Sequence, residues 1–66
     1  MFEKITAGFY QKSIGDNYEM FANVIKSGSK WTAEIRNSRD GSLIWRTSHL
    51  DTKRTAEQMV TLHNSL

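Results

Sequence analysis

Residues 31–46, WTAEIRNSRDGSLIWR, hold two extended runs closed by Arg39, Asp40 and Gly41. A slip of one residue in such a hairpin moves every side chain to the opposite face, so the loop decides the fold. A two-residue turn at Asp40 and Gly41 would set the charge of Arg46 opposite Ile35. A three-residue loop with Gly41 in the left-handed conformation instead pairs Ile35 with Trp45, Ala33 with Thr47 and Glu34 with Arg46. The second arrangement keeps one face apolar and is the one expected.

Upstream, a two-residue turn at Gly28 and Ser29 places Val24 opposite Ala33 and Ala22 opposite Ile35. The result is a three-stranded antiparallel meander over about 18–26, 30–37 and 42–49. One face carries Met20, Ala22, Val24, Trp31, Ala33, Ile35, Leu43 and Trp45, an apolar surface that requires a cover. From about 52 to 65 the hydrophobic period changes to a helical one, with Ala56, Met59, Val60 and His63 on one stripe. Asp51 or Thr52 is positioned to cap this helix and Leu50 to staple its first turn. The expected class is therefore α+β, a β-meander packed on a C-terminal α-helix, in a single domain spanning 1–66.

The N-terminal segment 2–13 reads less clearly. Phe2, Ile5 and Phe9 fit a helix, whereas Ile5, Ala7 and Phe9 fit a strand. A short helix is favoured, with a fourth strand as the alternative, and the loop Gly15–Asn17 ends the segment in both cases.

Composition limits the chemistry. The chain of 66 residues has no Cys, so it forms no disulfide and no thiolate metal site, and His49 and His63 stand too far apart for a zinc module. No metal or other cofactor is expected. Ser48 and His49 are neighbours that a regular strand would point to opposite faces, and Gly28 and Gly41 lack the strand-loop-helix context of a phosphate loop. The expectation is a non-enzymatic protein. No apolar run is long enough to span a membrane, and the start MFEKITAGFY lacks the order of a signal peptide, which points to a cytoplasmic location.

Charge is unevenly spread. Residues 1–25 carry two lysines against three carboxylates, while residues 26–66 carry seven basic side chains against four acidic ones. The second half suits a nucleic acid or an acidic protein partner. The sheet's other face, with Phe21, Asn23, Ile25, Thr32, Glu34, Arg36, Ile44, Arg46 and Ser48, is too apolar for plain solvent and too charged for a core.

Over Lys30 to Glu57 the order of features resembles the arm-type DNA-binding domain found at the N-terminus of phage and transposon tyrosine integrases. KWTAEIR resembles that family's opening strand, DG its hairpin glycine, and LDTKRTAEQ its entry into the helix. The resemblance implies a three-stranded sheet whose open face lies in the DNA major groove, with Lys30, Thr32, Arg36, Arg39 and Arg46 in contact with it. Phe21 and Ile44 stand where the family tends to be polar, and Glu34 would meet phosphate repulsion. The same runs are also similar to short enterobacterial prophage proteins of unknown function.

Two functions follow as expectations. The first is a DNA-binding module of mobile-element type that grips double-stranded DNA through Lys30, Thr32, Arg36, Arg39 and Arg46, with Lys53 and Arg54 at the helix start as phosphate contacts. The alternative is a phage-encoded module that docks on a host protein, or on a second copy of itself, through Phe21, Ile25 and Ile44.

Overall fold

A computed structural model describes residues 2–15 and 17–64. Asp16 of the expected loop and Ser65 at the end of the expected helix lie outside the described residues. Five strands run in chain order, β1 (Glu3–Thr6), β2 (Phe9–Ile14), β3 (Met20–Ser27), β4 (Lys30–Asn37) and β5 (Leu43–Leu50), followed by the helix α1 (Lys53–Asn64). All neighbours are antiparallel and adjacent in sequence, giving one meander with β3 at its middle.

The expected registers are present. Ala22 faces Ile35, Val24 faces Ala33, Ile35 faces Trp45, Ala33 faces Thr47 and Glu34 faces Arg46. The loop that delivers the last three differs from expectation. Asn37 accepts from the Gly41 amide at 2.8 Å and donates to the Ser42 carbonyl at 2.9 Å, so four residues, Ser38 to Gly41, make the turn. Gly41 is left-handed as expected, at φ 76°. Arg36 then pairs with Leu43, and one extra β5 residue restores the Ile35–Trp45 register. This bulge leaves Leu43, expected in the core, 48% exposed. A second irregularity lies between Ala33–Thr47 and Trp31–Leu50, where His49 takes φ 62°.

The sheet has two strands more than expected, and the N-terminal helix is not formed. Gly8 turns the chain at φ 77°, its carbonyl accepts from the Lys26 amide at 2.7 Å, and a Cβ there would sit 3.2 Å from the Lys26 Cβ. Every residue of β2 pairs with β3. A helix over the same residues would leave the β3 edge unpaired, so the ladder overrides a weak local preference.

α1 lies across β3, β4 and β5. Ala22, Val24, Ala33 and Ile35 are buried beneath Ala56 and Val60, with Ile14 completing the cluster. Alanine on both layers lets helix and sheet approach closely, while Phe2, Tyr10, Met20, Trp31, Trp45 and Leu50 ring the core. Trp45 stacks on His63 at 4.7 Å between ring centres, so that histidine packs at the rim. Thr52 caps the helix, its hydroxyl accepting from the Thr55 amide at 3.1 Å. Asp51 pairs instead with Lys30, at 2.6 Å.

Candidate functional site

The helix covers one side of the sheet only. Cα partners in an antiparallel ladder carry their side chains on the same face. One row of partners crosses all five strands on the uncovered face: Glu3, Gln11, Asn23, Glu34 and Arg46. The Gln11 amide donates to Asn23 Oδ1 at 3.0 Å, and Asn23 Nδ2 donates to Glu34 Oε1 at 3.0 Å. Arg36 Nε reaches the same Oε1 from two residues along β4, at 3.1 Å, and its Nη1 donates to the Gly41 carbonyl at 2.8 Å.

Glu34 is therefore 5% exposed although no layer covers it. Burial pushes its carboxyl upward, but the Asn23 hydrogen bond, the bond and charge of Arg36 and the field of Arg46 outweigh that, so its pKa lies below the ordinary value. Asn23 is buried by the same row, and no buried side-chain nitrogen or oxygen among the described residues lacks a partner. The expected opposition of Glu34 and Arg46 exists in register, yet the ion pair is made by Arg36. Arg46 is exposed and reaches Glu34 only through its field.

Apolar residues flank this row. Phe9 and Ile25 lie in line with Thr32 on one side, and Phe21 lies in line with Ser13 and Arg36 on the other. Phe9, Phe21 and Ile25 are half-buried, whereas Ile44, beside Trp45 in the strand alternation, is 46% exposed.

The seven residues expected to contact DNA separate into different places. Lys30, Thr32 and Arg46 line one shallow recess beside the β3–β4 turn, together with Ser27, Gly28, Ser29, Ser48 and His49. Thr32 is buried there and Lys30 is held by Asp51. The left-handed backbone of His49 brings it to the same recess as Ser48, contrary to the opposite placement expected of a regular strand, but no hydrogen bond joins the two. Arg36 is bound into the face. Arg39 lies beyond the other end of β4, in a crevice with Asn17, Glu19, Asn37 and Ser38. Lys53 and Arg54 are on the helix side, in a recess with Phe2 and Lys12, where Lys53 pairs with Glu57 at 3.5 Å and sits 4.0 Å above the Tyr10 ring. The three residues expected to contact a protein, Phe21, Ile25 and Ile44, share the uncovered face.

Sequence reasoning missed Glu3, Phe9 and Gln11, because their segment was assigned to a helix. The available signal was the alternation Phe9, Gln11, Ser13 against Tyr10, Lys12, Ile14, set off by Gly8. Among the described residues no three His, Cys, Asp or Glu side chains gather where they could hold a metal ion, and no helix is long and apolar enough to cross a membrane. Set against known proteins, the chain matches no family model, no curated protein and no solved structure.

Proposed function

We propose that the protein is a non-enzymatic interaction module that docks a protein partner through the uncovered face of its sheet. One observation carries the reading: the polar groups at the centre of that face already satisfy one another, while Phe9, Phe21, Ile25 and Ile44 flank them. A partner that excludes water there gains apolar contact while Asn23 and Glu34 keep the hydrogen bonds that they already make. The matching surface is apolar in two stripes, with a polar row whose charge runs opposite to the one from Glu3 to Arg46.

A photo-crosslinking side chain at position 44, introduced in cells, tests the reading. A protein adduct is expected at 44 and not at position 62 on the helix, where Leu62 is 62% exposed. Adducts at 62 alone, or none at either position, contradict it.

Double-stranded DNA is the second reading, favoured by the meeting of Lys30, Thr32 and Arg46 in one recess and by the pairing of the Glu34 carboxylate with Arg36. It requires binding to random duplex DNA that falls steeply with salt, with Arg46→Ala lowering the salt slope by about 1. Absence of binding at low salt removes it.

A further inference from the structure

We infer that the partner of this face is a second copy of the same chain, packed sheet to sheet about a two-fold axis that runs along β3. The inference rests on the docking reading above and names its occupant.

The polar row is charged at its ends with opposite signs. Glu3 stands on β1 and Arg46 on β5, both exposed, four strand spacings or about 19 Å apart. Two copies of a twisted sheet facing each other are related by a two-fold axis lying between them. If that axis ran across the strands, Glu3 would face Glu3 and Arg46 would face Arg46. An axis along the middle strand exchanges the two edges, so Glu3 of each copy faces Arg46 of the other, twice in the dimer. Charge thus selects one of the two face-to-face arrangements.

The same axis brings the middle strand onto itself. Phe21 and Ile25 of β3 meet their own counterparts, supplying apolar contact at the centre where interface energy concentrates. Asn23 lies between them, already accepting from Gln11 and donating to Glu34, so both of its polar atoms keep a partner when it is covered. Twist does not oppose the arrangement: rotation about the middle strand of a saddle-shaped sheet yields a second saddle parallel to the first. Five strands of about six residues present roughly 500 Å² per copy. The total of about 1,000 Å² stands at the lower bound for a specific interface, the size of a weak, reversible association.

Sedimentation velocity of the purified protein from about 5 to 300 μM tests this, a window set around micromolar association. Dimerisation is expected within it. Glu3→Lys and Arg46→Glu should each weaken it roughly tenfold or more by placing like charges face to face, and the double variant should recover it because both contacts return with reversed sign. Glu3 is exposed, so Glu3→Lys should melt as the wild type does, whereas Arg46→Glu sets a carboxylate in register with Glu34 and should melt lower while staying folded at the temperature of the measurement. A dimer indifferent to the swaps, or a double variant no better than either single one, overturns the arrangement. A chain that stays monomeric to 300 μM overturns the second copy as partner. In that case an adduct at position 44 with another protein leaves the docking reading standing, and no adduct removes both.

Discussion

The two faces of the sheet bury their centres by different means. Under α1, burial comes from apolar and small side chains facing a second layer: Ala22, Val24, Ala33 and Ile35 against Ala56 and Val60. On the other face, Asn23, Thr32 and Glu34 are at most 7% exposed without any layer above them. There, longer neighbours and a chain of hydrogen bonds from Gln11 to Arg36 exclude water. The covered face holds the fold together by apolar packing, while the centre of the uncovered face is closed by polar groups that bond one another.

The largest loss is expected on the covered face. Ile35→Ala removes the largest fully buried side chain among the described residues and should cost about 2–5 kcal/mol in urea unfolding, which a domain of this size can scarcely sustain. Trp45→Ala should cost less than a fully buried tryptophan would, since Trp45 is half-buried and leans on His63. If Ile35→Ala costs no more than a surface substitution, the division between the faces is wrong.

Next comes the centre of the uncovered face. Glu34→Ala takes the acceptor from Asn23 and the anion from Arg36, and should cost about 1–3 kcal/mol, because Asn23 is buried while Arg36 remains a third exposed. The same carboxylate imposes a pH dependence. Its pKa in the folded chain lies below its ordinary value of 4.5, so its contribution is present above about pH 4.5 and is lost as pH falls through the folded value. Glu34→Gln should flatten the acid limb of a stability-against-pH curve. Asp40, held low by the Ser42 amide, and Asp51, held low by Lys30, leave a residual slope of the same sign.

Smaller still, Thr52→Ala should remove about 1 kcal/mol by uncapping α1, read as a lowered midpoint of thermal unfolding. Ile44→Ser, on an exposed side chain, should leave melting nearly unchanged and affect only association. A large loss of stability for Ile44→Ser would mean that the second face is part of the core.

The sheet from β3 onward and the helix were legible because each carries a local signature. Gly28 and Gly41 punctuate alternating runs, and Ala56 and Val60 recur at helical spacing. The loop at Ser38–Gly41 escaped because a four-residue turn followed by a bulge delivers the same register as a three-residue turn. β1 and β2 escaped because Lys12 occupies a position on the covered face that alternation assigns to an apolar residue. It is tolerated there beside the Phe2 ring, 5.9 Å away, in the open recess that it lines with Lys53, Arg54 and Glu57 at the margin of α1. The hydrogen-bonded row was hidden for the same reason. Gln11 meets Asn23 only once β2 pairs with β3, and Glu34 reads as a free surface charge until Asn23 and Arg36 are placed beside it.

Methyl resonances followed from about 10 μM to 1 mM protein, a range bracketing micromolar association, report which face of the sheet associates. Concentration-dependent shifts are expected for Ile25 and Ile44 on the uncovered face, with Val24, Ile35, Ala56 and Val60 of the covered face unmoved. Shifts confined to the covered face or to Leu62 of the helix, or none across the range, would contradict association through the uncovered face.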